Sequence, residues 1–263
     1  MTGPVSASPA SELLRTATQS PHAAAPTGSA AASSRAADDV AVLLLADVAG
    51  ASRLWGWSRI VLGARALRPV PGLRLAKALG SGHDGGFGLR PSTSRQGLFA
   101  LFGSEAEADA FVQTNPIPRA YAARSREFLS FKLRATSSRG AWGGTGIAAT
   151  APAPNGGPVA ALTRASIRPG RAWDFWAHSP ASERALQDAP GCLLAAGLGE
   201  APILRQATFS LWDSQAAMDA YARSGAHLQA SRAATAGGWF SESMFVRFVP
   251  LQVQGRWRGR SYG

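Results

Sequence analysis

One stretch of this sequence occurs twice. Phe99-Ala-Leu-Phe-Gly-Ser-Glu-Ala-Glu-Ala-Asp-Ala-Phe111 lines up with Phe209-Ser-Leu-Trp-Asp-Ser-Gln-Ala-Ala-Met-Asp-Ala-Tyr221, at an offset of 110 residues. Upstream, Arg53-Leu-Trp55 meets Arg171-Ala-Trp173 at 118, and Leu79-Gly80 meets Leu198-Gly199 at 119. Downstream, Gly140-Ala-Trp142 meets Gly255-Arg-Trp257 at 115. Four matches in one order, with small drifts of offset, are hard to attribute to shared alanine content, so a duplication is expected. Whatever unit folds must then fold twice within 263 residues, which leaves each copy the size of a small domain.

Both copies carry the same punctuation. An apolar run opens each one (Val40 to Ala46; Val159 to Ile167), short enough for a strand. A Trp-rich helical segment follows, about Ala51 to Ala66 and Arg171 to Leu186, with Pro180 as a point where the second can break. Two strands come next, Leu73 to Leu79 with Gly97 to Phe102, and Cys192 to Leu198 with Ile203 to Trp212. A helix then starts at a Ser104 or Asp213 cap, and a last strand covers Phe128 to Ala135 or Met244 to Val253. The order β-α-β-β-α-β is the ferredoxin-like split βαβ unit. The expected fold is α+β: two tandem ferredoxin-like units, residues 40–148 and 159–259, forming a pseudo-dimeric α/β barrel across a linker at 149–158. Residues 1–39 read as a disordered tail, being built mostly of Ala, Ser, Thr and Pro, and 260–263 as a short C-terminal tail. A ligand is expected between the two sheets and under the second helices.

Composition excludes more than it selects. The net charge of +11 is carried by Arg, with Lys only at Lys77 and Lys132, which fits an acidic redox partner, an anionic membrane face or nucleic acid. No nucleic-acid module accompanies it, so no nucleic-acid partner is expected. The single cysteine, Cys192, excludes an intrachain disulfide. Without a bilayer-length apolar run or a secretory pattern near the start, the expected location is the cytoplasm. No Gly-x-Ser-x-Gly elbow, zinc-ligand spacing, Walker loop or dinucleotide fingerprint is present.

The second copy holds three further segments: Gly156-Gly-Pro-Val-Ala-Ala-Leu-Thr-Arg-Ala-Ser-Ile-Arg168, Gly197-Leu-Gly-Glu-Ala-Pro-Ile-Leu-Arg-Gln-Ala-Thr-Phe-Ser-Leu-Trp212 and Gly237-Gly-Trp-Phe-Ser-Glu-Ser-Met-Phe-Val-Arg-Phe248. The first adds Leu79-Gly-Ser-Gly82, Gly86-Phe-Gly-Leu-Arg-Pro91 and Ser138-Arg-Gly-Ala-Trp142. Over roughly residues 40 to 259 the chain resembles the spheroidene monooxygenase family. That resemblance implies a haem-containing oxygenase that oxidises C2 of an acyclic carotenoid to a ketone. It brings in haem iron, dioxygen as cosubstrate and an external electron donor such as a ferredoxin. With no nicotinamide or flavin motif in the chain, reducing equivalents must come from another protein. A noncatalytic haem- or lipophile-binding barrel is the alternative, because a fold of this kind hosts many functions.

Dioxygen needs a metal or organic cofactor to attack C–H bonds at useful rates, and haem iron needs an axial His, Cys, Met or Tyr. In the light of the resemblance His227 is the chosen ligand. It follows the second helix of the second copy and opens a further helical stretch before Gly237, where the 110 offset puts Ile117 in the first copy. Cys192 and His178 are its rivals; His83 lies in a Gly-rich insertion and His22 in the tail, while Met218 and Met244 read as core. Arg164, Arg205 and Arg232 are the candidates to pair haem propionates, since guanidinium favours bidentate contact. Trp239 and Phe240 are candidates to wall the cofactor cavity. An insoluble carotenoid also implies peripheral contact with a membrane. The segment Leu54 to Leu67, which mixes Trp, aliphatic and Arg, and Arg256-Trp-Arg-Gly-Arg260 are the candidate contact regions.

Overall fold

The computed structural model describes residues 38–263 apart from Arg68, Phe87, Leu89, Pro202 and Ser224. The tail expected at 1–39 thus lies almost wholly outside the described residues. Its last two do not behave as tail: Asp39 is buried, pairs with Arg74 and accepts the Ala148 N–H at 2.8 Å.

The first half runs β1 (Val40–Val48), α1 (Arg53–Leu62), β2 (Leu73–Gly82), β3 (Pro91–Phe102), α2 (Glu105–Thr114), α3 (Pro116–Arg124) and β4 (Ser125–Gly140). The second runs β5 (Val159–Ile167), α4 (Ala172–Gln187), β6 (Cys192–Ala201), β7 (Arg205–Trp212), α5 (Gln215–Ala222), α6 (Gly225–Ala236), β8 (Phe240–Trp257) and β9 (Arg260–Tyr262). Local chemistry sets the helix starts. The Ser104 hydroxyl accepts the Glu107 N–H at 3.3 Å, and the Ser214 hydroxyl accepts the Ala217 N–H at 3.2 Å. Ser214, not Asp213, is therefore the second cap; Asp213 accepts from the Ser214 hydroxyl instead. The Asn115 carboxamide accepts the Ile117 N–H at 2.9 Å, and Pro116 fits the first turn of α3, where no N–H is needed. Helix α4 continues through Pro180, held by packing against α6 and β6.

The sheet order is β4-β1-β3-β2-β6-β7-β5-β8-β9, all neighbours antiparallel, and a further β4–β8 pairing closes it. The result is a closed eight-stranded antiparallel barrel with helices on its outside. Within each half the strand order is the same, fourth-first-third-second: β4-β1-β3-β2 and β8-β5-β7-β6. Registers agree too: Val40 opposes Phe102 as Val159 opposes Trp212, and Leu44 opposes Leu98 as Thr163 opposes Thr208. Among the described residues the seam between β2 and β6 has one ladder pair, Gly80 with Gly199, joined by the Lys77–Glu200 ion pair at 2.8 Å and the Ser81 hydroxyl donating to the Gly197 carbonyl at 2.7 Å, whereas β4 and β8 pair from Leu129–Gly255 to Gly140–Met244. At Gly255 φ is +128°, and a Cβ there would strike the Phe128 carbonyl, so the close approach needs glycine.

Inward-pointing side chains fill the barrel: Phe99, Phe131, Phe209, Phe248, Trp142 and Trp257 pack with aliphatic residues of both halves. The two halves thus share one core, and the space between the sheets is not the ligand space expected of it. Residues 260–263 are not a tail either. Strand β9 pairs with β8, the Tyr262 hydroxyl donates to the Leu193 carbonyl at 3.2 Å, and Trp257 is fully buried, which removes it from any membrane contact. Among the described residues no helix is long and apolar enough to cross a membrane.

Candidate functional site

The outer sheet face of each half is covered by its helices, yet the two layers differ. In the first half Val42, Leu44, Ala100, Leu98 and Phe102 point outward, all buried, and pack against Ala108, Phe111 and Tyr121 of the helices. In the second half the positions of matching register hold Ala161, Thr163, Ser210, Thr208 and Trp212. Shorter and more polar side chains cannot fill the gap that Leu and Val fill. Leu44 is 1% exposed, whereas Thr163, on the sheet face beneath helices, is exposed. A half-open cavity of about 360 Å³ remains between the β5–β7–β8 face and α4, α5 and α6. Its size suits a small-molecule site.

Its walls are mostly apolar. Phe175 and Trp176 come from α4, Met218 and Tyr221 from α5, Trp239 and Phe240 from the turn into β8, and Phe245 from β8. Trp176 is fixed by its indole N–H donating to the Ile203 carbonyl at 3.0 Å. The Tyr221 ring meets those of Trp212, at 5.3 Å between ring centroids, and His227, at 4.7 Å, both in tilted contact.

His227 stands in the first turn of α6. Gly225, with φ of +55°, turns the chain from α5 so that a helical stripe of His227, Ala230, Ser231 and Ala234 faces the cavity. Burial pushes the imidazole's pKa below its ordinary value, so the ring is neutral at neutral pH. Among the described residues no hydrogen bond to its ring nitrogens is found, which leaves a lone pair for a ligand. Ile117, its counterpart by offset, packs instead against the first half's apolar layer.

His178 also lines the cavity, with its ring 5.2 Å from that of Trp239. Its Nδ1 lies 2.8 Å from the Asp174 carbonyl. A carbonyl only accepts, so Nδ1 is the donor and Nε2 is the nitrogen left toward other partners. Two imidazoles therefore border one apolar cavity. Cys192 does not reach it: the thiol points at the Leu194 carbonyl, and burial pushes its pKa up to about 11, which disfavours the thiolate. His83 lies at a separate polar surface. Met218 is on the cavity wall and Met244 inside the barrel.

The three arginines expected near a propionate are elsewhere. Arg164 follows Thr163 on a strand and so faces the opposite side, the barrel interior. There its guanidinium pairs with Glu242 and Glu200 and lies 5.8 Å from the Trp142 ring. Burial works to raise the pKa of Glu200, but hydrogen bonds from Lys77 and Trp142 hold it below the ordinary carboxylate value. Arg205 is exposed at the start of β7, and Arg232 is exposed on α6, off the stripe that carries His227. The guanidinium that does line the cavity is Arg247 of β8, which donates to Asp219 at 2.6 Å and lies 5.8 Å from the Phe245 ring. Lys132 and Asp109 make the corresponding pair in the first half, at 2.6 Å. Sequence reasoning passed over Arg247, Phe175, Trp176 and Thr163. The available signal was the change from Leu44 and Leu98 to Thr163 and Thr208 at matching positions.

No protein-family model matches the sequence. Among curated proteins, the spheroidene monooxygenase of Rubrivivax gelatinosus is 57% identical over 228 residues, covering 87% of this chain and 88% of that protein. The spheroidene monooxygenase of Rhodobacter capsulatus is 35% identical over 227 residues, covering 84% and 94%. Among solved structures, an aldoxime dehydratase superposes with a TM-score of 0.53 at 12% identity, covering 81% of each chain; at that identity the likeness is one of fold.

Proposed function

The chain belongs to the spheroidene monooxygenase family, and from that premise we propose that it oxidises C2 of an acyclic carotenoid of the spheroidene kind to a ketone, with haem bound in the cavity beneath α4, α5 and α6. The observation that carries the reading is the hollow helix layer of the second half, bordered by a half-buried neutral imidazole with no hydrogen bond among the described residues. The same strand order and register in the two halves support an origin by duplication of a ferredoxin-like unit, with one copy keeping its layer packed and the other opening it.

The residues present fit haem. Among the described residues no cluster of three or more His, Cys, Asp or Glu side chains is placed to hold a bare metal ion. Haem would bring its own macrocycle nitrogens and would need from the protein a side-chain ligand and a flat apolar slot. His227 would supply the ligand, and Phe175, Trp176, Trp239, Phe240 and Phe245, which line the same cavity, would supply the slot. Arg247, already paired with Asp219, is the cavity's cation for an anionic edge. When bound, haem would supply the activation of dioxygen that no side chain can.

The chain's own residues then have definite tasks. The aromatic wall excludes water from the reacting carbon and holds the apolar end of the substrate. A carotenoid is much longer than the cavity, so only its end enters through the open side, which suits oxidation near a chain terminus. His178, held through Nδ1 by the Asp174 carbonyl, has Nε2 available to carry a proton at the cavity edge. Two hydroxylations at one carbon give a geminal diol, which loses water to leave the ketone. Each hydroxylation consumes one dioxygen, two electrons and two protons and releases one water. The electrons come from a separate donor, such as a ferredoxin, for which the arginine-rich surface is complementary.

The test is reconstitution with haem and turnover of spheroidene. His227→Ala should lose the haem absorbance and the activity while keeping the circular dichroism of the native fold, and added imidazole should restore part of the haem binding. Cys192→Ser should keep the native Soret band. A His227→Ala protein with normal spectrum and turnover refutes the ligand assignment. Haem binding without carotenoid oxidation would favour the noncatalytic haem-binding barrel, and failure to bind haem at all would refute the oxygenase reading.

A further inference from the structure

Helix α1 carries an exposed apolar ridge. Leu54 is 87% exposed, Val61 79%, Leu62 43% and Trp57 42%. Leu54, Trp57 and Val61 are spaced three and four apart and so share one face, opposite the face on which Trp55 packs edge-on against Tyr121 at 5.0 Å. Arg53 and Arg65, both exposed, flank the ridge. Among the described residues no carboxylate pairs with either. The surrounding sequence repeats this bias: between Asp47 and Asp84 there is no acidic residue, but there are five Arg and one Lys.

We propose that this ridge seats the protein on an anionic lipid surface, with α1 lying in the interface plane. Charge complementarity selects the occupant. A second copy would bring two arginine-flanked, acid-free helices face to face, which is repulsive. A side chain exposed as far as Leu54 stands clear of the body and offers a rigid partner no pocket, whereas a bilayer needs no matching shape. Trp57 has the ring and N–H of a side chain that settles at the headgroup level. Helix α1, ten residues long, is too short to span a bilayer and long enough to lie on one.

The experiment is co-sedimentation of the full-length protein with vesicles of phosphatidylcholine alone and of phosphatidylcholine with phosphatidylglycerol. It needs no carotenoid and reads no turnover, so its outcome is separate from that of the functional proposal. The protein should pellet with the anionic vesicles, stay in solution with the neutral ones, and release as salt rises. Leu54→Ser/Trp57→Ser/Val61→Ser should weaken binding by roughly a hundredfold, since most of the apolar contact is lost. Arg53→Gln/Arg65→Gln should weaken it by about fivefold for each arginine and flatten the salt dependence. All five positions are exposed, so an unchanged melting temperature is expected and confirms that the fold is intact. A wild-type protein that ignores anionic vesicles overturns the proposal, as does a serine variant that binds like wild type. Capture of a soluble acidic protein through the ridge, without vesicle binding, would overturn it in favour of a protein interface.

Discussion

Replacing Ala161 by Val and Thr163 by Leu would give β5 the outward side chains that β1 carries at Val42 and Leu44. The first half demonstrates that this pair fits beneath helices on a sheet of the same register. Ala161→Val adds two carbons, worth about 1.6 kcal/mol at ~0.8 kcal/mol per fully buried CH₂. Thr163→Leu exchanges a hydroxyl in an apolar cavity for methyl groups and adds a similar amount. The cavity is half open, so roughly half of that sum, about 1.5 kcal/mol, is expected to appear as stability. For a chain of this size the melting temperature should rise by about 3–6 °C. Scanning calorimetry of the cofactor-free protein measures the gain, and haem titration with carotenoid turnover measures the cost. Both functions should fall at least tenfold, because the added carbons occupy the space a ligand needs. A variant that is stabilised yet binds haem and turns over substrate like wild type would show that the cavity is not the site. A loss of more than about 2 kcal/mol would show instead that the walls are already in contact and no usable space exists.

Acid should weaken the fold through His227. Burial lowers its folded pKa beneath the ordinary 6.5, so above pH 6.5 neither state takes a proton there and the group contributes no slope. Below 6.5 the unfolded chain binds a proton that the folded chain refuses, and stability drops at up to about 1.4 kcal/mol per pH unit until the folded pKa is reached. Chemical denaturation between pH 7 and 5 should show this slope, and His227→Gln should lack it; equal slopes in the two proteins would contradict the assignment. Gly255→Ala is expected to destabilise by about 2–4 kcal/mol, because the Cβ meets the Phe128 carbonyl in a backbone conformation that alanine resists. Urea unfolding reads that loss, and a change below 0.5 kcal/mol would mean the β4–β8 seam is pliable.

Runs bounded by turn residues were legible because strand length and burial on both faces leave a simple mark. Val159–Ile167 is bounded as its sequence implies, and Val40 opens β1. The arms of the long hairpins were not. Pro91-Ser-Thr-Ser-Arg-Gln96 and Phe240-Ser-Glu-Ser243 lay outside the expected strands, which began at Gly97 and Met244, yet they extend β3 and β8, because pairing with a neighbouring strand overrides weak local preference. Helix α3 was signalled by Asn115-Pro116, a cap followed by a first-turn proline, and was passed over. Faces were harder than elements. Alternation puts Thr163 and Arg164 on opposite sides, but only closure of the barrel decides which side is interior and which lies under helices. Arg164 was thus assigned to a ligand and belongs to an internal ion-pair network with Glu200 and Glu242. Arg232 failed for a helical reason: His227, Ala230, Ser231 and Ala234 form the cavity stripe, and position 232 is turned away from it. His227, Trp239 and Phe240 do meet at one cavity. Their convergence was drawn from a family resemblance; composition alone does not contain it.

Opening one helix layer removes burial, and the barrel is what makes that loss tolerable. The strands that floor the cavity turn their other faces inward, where Phe209 meets Phe131 at 4.8 Å and Phe248 and Val246 are fully buried. Contacts across the seam from the first half therefore hold β5, β7 and β8 in place from behind, whatever lies above them. The packed layer of the first half, built on Val42, Leu44, Leu98 and Phe111, adds burial that the second half gives up. Floor and roof then differ in kind. The floor is a sheet fixed on both edges by hydrogen bonds, and the roof is a set of short helices resting on Leu186, Trp212, Met218 and few other buried contacts. Any rearrangement of the cavity costs least in that roof. His227 and His178 both sit on roof helices, α6 and α4, so a shift that widens the entrance also moves the two imidazoles relative to the floor.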